Sequence, residues 1–337
     1  MTYTTHAPRT AIASRDLLRI SDLSATEIHA LLSLAARMKA DPTAFAGTLA
    51  QRSLVLLFEK PSLRTRVSFE LGFQKLGGAV CFLDHRESPI GQRETVADYA
   101  GNLSRWADAI AIRCRSHSLL DSFAATSRVP VVNALSDQHH PCQALADTLT
   151  LLEHGEGVES LHLVWVGDGN NVCNSLIETI ATIGGRMTVV CPRGYEPSAE
   201  IMRAAHARAH RSGAQITCTD DLASVEGASA IYTDVWVSMG EEAEAAEKTA
   251  ALTPYRVDAT LMRRAGARAR FMHCLPARRG EEVTDEVIDS AASIVLDQAE
   301  NRLHAQNALL LSMLRPDIAL AVRGDGPHFT PHNQGSL

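Results

Sequence analysis

Two kinds of hydrophobic pattern alternate along the chain. Short, nearly continuous apolar runs such as Ser53-Leu-Val-Leu-Leu-Phe58 and Leu161-His-Leu-Val-Trp-Val166 fit strands buried on both faces. Between them, apolar residues recur three or four positions apart, the period of a helix with one buried face. Ser24-Ala-Thr-Glu27 has capping-box spacing and predicts a helix through about Lys39. Residues 53–58 predict a strand, and residues 63–76 a helix that stops at Gly77-Gly78. Strands are predicted at 109–113 and 130–133, and from Pro141 the residues Leu145, Leu149 and Leu152 share one helix face. Gly155-Glu-Gly157 predicts a hinge. The alternation then restarts: a strand at 161–166, a helix after Asn171, a strand at 187–191 and a helix at 199–212. Strands at 230–233, 270–273 and 293–296 and a helix at about 301–314 complete it. Strands alternating with helices predict an α/β fold with parallel sheets. From Pro316 the periodicity is lost, so residues 316–337 are expected to form an unstructured tail.

A chain of 337 residues suits about two domains and buries a sizeable core without disulfides or metal. Its 45% hydrophobic and 21% charged residues exclude disorder and a long coiled coil. The 32 Lys and Arg against 39 Asp and Glu leave a net charge of −7, so no nucleic-acid or anionic-membrane partner is expected. No apolar run approaches the ~18 residues of a membrane span. The N-terminal stretch has no apolar signal core, and the seven cysteines are scattered without a C-x-x-C pair. Both point to reduced thiols in the cytoplasm.

Five segments carry candidate chemistry. In Phe58-Glu-Lys-Pro-Ser-Leu-Arg-Thr-Arg-Val-Ser-Phe-Glu70 a strand leads through Pro61 into a helix start. Ser62 can cap, Arg64 and Thr65 fall in the first turn, and unpaired backbone N–H groups there suit an anion. The alternative is a solvated helix start with Arg66 pairing Glu70. In His139-His-Pro-Cys-Gln143, Pro141 suits the first helical position, which places His140 and Gln143 near one helix start. An imidazole there can donate to a carbonyl oxygen and Gln143 can serve an amide group, or His140 simply caps the helix. Two His and one Cys without further ligands nearby predict no metal. Gly167-Asp-Gly-Asn-Asn171 lacks the third glycine of a dinucleotide turn, and the next strand ends in Val190-Cys-Pro-Arg193 with no acid for a ribose. NAD is therefore not expected; Asn170 and Asn171 could face a zwitterion or merely form a turn and cap. Asp234 and Cys274 each follow a strand-like run. Asp234 could pair an ammonium, and Cys274 could contact it, act as a nucleophile, or be a buried structural thiol.

Six motifs in order carry a resemblance: Lys60-Pro-Ser-Leu-Arg-Thr-Arg66, His140-Pro-Cys-Gln143, Gly169-Asn-Asn171, Asp234 with Ser238-Met-Gly240, His273-Cys-Leu-Pro276 and Glu300-Asn-Arg302. Together they resemble the ornithine carbamoyltransferases of the aspartate/ornithine carbamoyltransferase superfamily. Ser-Met-Gly and His-Cys-Leu-Pro favour ornithine over aspartate as acceptor. The resemblance implies two doubly wound α/β domains with the active site in the cleft between them. Residues 1–153 would bind carbamoyl phosphate, residues 154–300 would bind ornithine, and a helix at about 301–315 would pack back on the first domain. It implies a homotrimer or a multiple of trimers, and no cofactor.

The resemblance further implies that Ser62, Leu63, Arg64, Thr65, Arg113, His140, Gln143, Leu275 and Arg302 hold carbamoyl phosphate. L-ornithine would be held by Asn171, Asp234, Ser238, Met239 and Cys274, with Arg113, His140 and Cys274 as catalytic residues. The products would be citrulline and phosphate, in arginine biosynthesis. Alternatives are carbamoyl transfer to N-acylornithine or putrescine, or a non-catalytic ligand-binding relative. Two positions depart from the family: Leu63 stands where a Thr is common, and Pro89 of Ser88-Pro-Ile-Gly91 replaces a Gln.

Overall fold

Aliphatic and β-branched runs build two all-parallel sheets, one in each of two units. The computed structural model describes residues 12–155, 157–237 and 245–321. One unit runs to Asp137 and resumes at Leu303; the other is Gln138–Arg302.

The first unit opens with α1 (Ala25–Ala40), whose capping box is formed: the Glu27 carboxylate accepts the Ser24 N–H at 2.8 Å. It continues through β1 (Ser53–Phe58), α2 (Leu63–Lys75), β2 (Ala79–Asp84) and α3 (Val96–Leu103). β3 (Ala109–Arg113), α4 (His117–Thr126) and β4 (Val131–Leu135) complete its sheet. Strand order is β2-β1-β3-β4. β1 and β3 are buried along almost their whole length, as their unbroken apolar runs predict. β2 lies at the edge and follows Gly77, whose φ of 89° ends α2.

The second unit comprises α5 (Pro141–Glu153), β5 (His162–Val166), α6 (Asn171–Ile183), β6 (Arg186–Val190) and α7 (Ala199–Ser212). β7 (Gln215–Thr219), β8 (Ala230–Thr233), α8 (Ala245–Leu252), α9 (Ala259–Ala265), β9 (Arg270–His273) and α10 (Asp285–Ile288) follow. Strand order is β7-β6-β5-β8-β9. Helix α11 (Val295–Leu314) starts in this unit, its residues from Leu303 belong to the first, and α12 (Pro316–Ala321) follows.

Two local expectations change. Residues 293–296 are not a strand: Ser293 makes one isolated bridge to Phe271, and Val295 already opens α11. Pro316–Ala321 forms a short helix, for which Pro316 is a suitable first residue; residues 322–337 lie outside the described residues.

In each sheet the chain reverses direction beside its first strand. The first unit turns between β1 and β3, the second between β5 and β8. Such a switch point leaves a crevice at the carboxyl ends of the two strands, where open α/β sheets bind ligands.

Candidate active site

At the first unit's switch point, Phe58 ends β1 opposite Arg113, the last residue of β3. The Glu59 N–H donates to the Arg113 carbonyl at 2.8 Å, which joins the two strand ends. Buried Glu59 accepts the N–H of Ile90 and of Arg115, each at 3.0 Å, and so ties three connections together. Four residues beyond β1, Ser62 caps α2: its Oγ accepts the Thr65 N–H at 3.3 Å and donates to Thr65 Oγ1 at 3.0 Å. Ser62, Leu63, Arg64, Thr65 and Arg113 therefore share the carboxyl end of one sheet. The Leu63 side chain is exposed, so only its backbone N–H could serve a ligand at this helix start. Arg66 is engaged elsewhere, pairing with Glu70 at 3.3 Å and lying over the Phe82 ring at 3.8 Å.

At the second unit's switch point, β5 leads into Gly167-Asp-Gly-Asn-Asn171 and β8 into Asp234. Gly169 has no room for a side chain, because a Cβ there would run into the Pro197 backbone. The Asn170 side chain is spent: Oδ1 accepts from Val172 and Cys173, and Nδ2 donates to Asp234 at 2.8 Å. Asn170 thus serves the turn and Asp234. Asp234 also accepts from the Val235 N–H at 2.8 Å and from the Cys274 thiol at 3.0 Å. Burial and the neighbouring Asp234 charge push the Cys274 thiol well above its ordinary range, so it stays protonated at neutral pH. A protonated donor suits positioning; a nucleophile would need the thiolate.

Cys274 and Leu275 are held by a buried pair. His273 Nδ1 accepts the Leu275 N–H at 2.8 Å, so its proton sits on Nε2, which donates to Glu282 at 3.1 Å. This bond supports Leu275 in the left-handed region, at φ 59°, a conformation that costs an aliphatic residue about 1–3 kcal/mol. Asp234, His273 and Cys274 offer ligand atoms within 4.8 Å of one another. With both His273 nitrogens committed, the trio fits a hydrogen-bonded anchor better than a metal centre.

His140 and Gln143 open α5, with the His140 N–H donating to Ser175 Oγ at 2.8 Å. Buried Arg302 donates from Nη1 to Gln143 Oε1 at 2.6 Å, and Gln143 Nε2 donates to Asp147 at 2.7 Å. The structure therefore brings Gln143 and Arg302 together, and Asp234 and Cys274 together. Ser238 and Met239 lie outside the described residues. Sequence reasoning missed Asp147, Gln298, Glu282 and Glu59. Only the i, i+4 spacing of Gln143 and Asp147 hinted at any of them.

Burial pushes the Asp147 carboxyl up to about 6, against the donors Gln298 and Gln143 and the charge of Arg302. Its other neighbour is the Tyr232 hydroxyl, itself raised by burial beside Asp147, Cys274 and Asp234. A raised carboxyl means that the folded chain holds this proton more tightly than the unfolded chain. Its contribution is therefore most favourable below about pH 4 and is lost as pH rises through about 6. Asp147→Asn abolishes that loss. Denaturant unfolding should show the variant gaining on the parent between pH 4.5 and 7.5, by roughly 2 kcal/mol. A gap that stays constant with pH contradicts this.

Two family models cover nearly all the described chain. The aspartate/ornithine carbamoyltransferase carbamoyl-P binding domain matches residues 15–153, and the Asp/Orn binding domain matches residues 159–313. The chain belongs to the aspartate/ornithine carbamoyltransferase family. An ornithine carbamoyltransferase of Shewanella oneidensis is 49% identical over 299 residues, covering 89% of this chain and 99% of that protein. The solved ornithine carbamoyltransferase of Pyrococcus furiosus is 44% identical with a TM-score of 0.85, covering 88% of this chain and 96% of its own. The anabolic enzyme of Campylobacter jejuni is 34% identical with a TM-score of 0.84, covering 89% and 99%. Within this family, the donor-rich end of α2 and the Asp234–Cys274 anchor belong to domains described by carbamoyl phosphate and by aspartate or ornithine.

Proposed function

We propose that this family member transfers the carbamoyl group of carbamoyl phosphate to the side-chain amine of L-ornithine, giving citrulline and phosphate in arginine biosynthesis. The observation that carries this is Asp234, a carboxylate fixed by Asn170, Val235 and Cys274 at a switch point. It is an anchor for an amine. The names of the relatives support ornithine as that amine.

Carbamoyl phosphate is a dianion, and Ser62, Leu63, Arg64, Thr65 and Arg113 with His140, Gln143, Leu275 and Arg302 supply its donors. An alkylammonium with a pKa near 10.4 must shed its proton before attack, at about 4.6 kcal/mol at pH 7. The neutral amine, oriented by Asp234, Cys274 and Asn171, attacks the carbamoyl carbon. Arg113, His140 and Thr65 stabilise the oxyanion, the bond to the phosphate oxygen breaks, and the departing phosphate takes the amine proton. Phosphate is a sufficient leaving group without a metal. Phosphate release should depend on added L-ornithine and match citrulline one to one; release without ornithine overturns the proposal.

Positioning by a protonated Cys274 has its own consequence. Cys274→Ser keeps an O–H donor for Asp234, so turnover persists while ornithine binds more weakly through the altered length and size of the group. Steady-state kinetics check this, and a carbamoylated Cys274 discharged by ornithine contradicts it.

The finer reading includes a cytoplasmic homotrimer or multiple of trimers. No described helix is long and apolar enough to cross a membrane. Self-association is supported by Leu63, Val67 and Leu71, which form a stripe on α2 exposed by 75%, 40% and 48%. Sedimentation equilibrium tests it.

A further inference from the structure

We infer that Asp147 is a positioning residue that fixes the amide orientation of two glutamines and thereby joins the carbamoyl phosphate residues to the ornithine residues. This rests on the carbamoyl-transfer reading above. Asp147 Oδ1 accepts from Gln143 Nε2 at 2.7 Å and from Gln298 Nε2 at 2.8 Å. Both glutamines are buried, and each uses its other end on a donor that cannot reverse. Gln143 Oε1 accepts from Arg302 Nη1 at 2.6 Å, and Gln298 Oε1 accepts from the His273 backbone N–H at 2.9 Å. An amide flipped at either residue would put N–H against N–H between buried groups, at about 1–3 kcal/mol for each buried group left unmatched.

A glutamine cannot choose its own orientation, since its oxygen and nitrogen ends have the same shape. An ionised aspartate can choose for it, because both of its oxygens only accept. Asp147 thus sets Gln143, which aligns the Arg302 fork, and sets Gln298, which holds the end of β9 immediately before Cys274. Asp147 Oδ2 and the Tyr232 hydroxyl are buried neighbours.

The test compares Asp147→Ala, Asp147→Asn and Gln298→Leu in citrulline formation by the full chain, with KM for each substrate. The alanine variant removes the shared acceptor. It should raise both KM values and lower kcat/KM by about 100-fold, as misplacement of reacting groups does. The asparagine variant keeps an acceptor oxygen and can turn its amide toward Tyr232, so it should stay within about tenfold of the parent, the difference between a charged and a neutral acceptor. Gln298→Leu frees the His273 end alone and should raise the ornithine KM more than the carbamoyl phosphate KM. A merely structural Asp147 would lower only the amount of active protein and leave both KM values unchanged, which overturns the inference. An asparagine variant as damaged as the alanine one also overturns it, because the charge and not the acceptor geometry would then matter. Should the alanine variant not fold, the asparagine and leucine variants decide. A parent that forms no citrulline refutes the function, a result distinct from either failure.

Discussion

Replacing Arg302 by alanine should remove nearly all carbamoyl transfer while leaving the fold in place. The guanidinium is buried, and its Nη1 is the only described donor to Gln143 Oε1, at 2.6 Å. Desolvation lowers its pKa, yet a guanidinium starts so high that it keeps its charge at neutral pH. The planar fork can hold Gln143 with one nitrogen and direct others to the phosphate or carbamoyl oxygen. Losing a preformed donor of this kind costs about 10²–10³ in kcat, or about 3–4 kcal/mol. A buried Gln143 oxygen left unmatched adds to the damage. Lysine should rescue poorly, since one ammonium cannot span both tasks. The checks are kcat/KM for carbamoyl phosphate and circular dichroism. A loss under tenfold, or full rescue by lysine, contradicts the role of the fork.

Arg64→Ala and Arg113→Ala should each abolish carbamoyl phosphate use. Arg113 ends β3 at the switch point, and Arg64 sits in the first turn of the helix capped by Ser62. There the guanidinium charges add to the positive end of the helix dipole. Each loss should match that of Arg302 in scale, about 10²–10³-fold, and lysine should again serve poorly. Calorimetric titration of carbamoyl phosphate is the check. Affinity in Arg64→Ala within a factor of two of the parent would show that the anion binds elsewhere.

Local signals carried the elements that position the site. The run Leu54 to Phe58 has a single sensible state, a doubly buried strand, and Ser62 three residues before Thr65 has a single sensible role as a cap. Strands 109–113, 230–233 and 270–273 and helix 199–212 coincide with the observed bounds because their periodicity is local. Among the edge strands, β7 is half-exposed and lacks an apolar run, whereas β2 carries one, Ala79 to Leu83, to which no strand was assigned above. Residues 293–296 misled because Ser-Ile-Val-Leu reads equally as a strand or as a buried helix start. The motifs supplied candidate groups for the substrates. They did not identify what orients those groups: Gln298 and Asp147 meet across 151 residues, and only tertiary folding selects that partnership. Glu59 is similar, a carboxylate beside a motif that resolves into a tie between backbone N–H groups of Ile90 and Arg115.

The central claim is transfer of one carbamoyl group to one amine, and competition among amines tests it most directly. Carbon-13-labelled carbamoyl phosphate is mixed with the protein and equal amounts of L-ornithine, N-acetylornithine and putrescine, and the label is followed by NMR. The account predicts label in citrulline with phosphate appearing at the same rate, because Asn171 and Asp234 would hold the two ends of the free amino acid. Label accumulating in carbamoylputrescine or N-acetylcitrulline, or only in the hydrolysis product of carbamoyl phosphate, would contradict it.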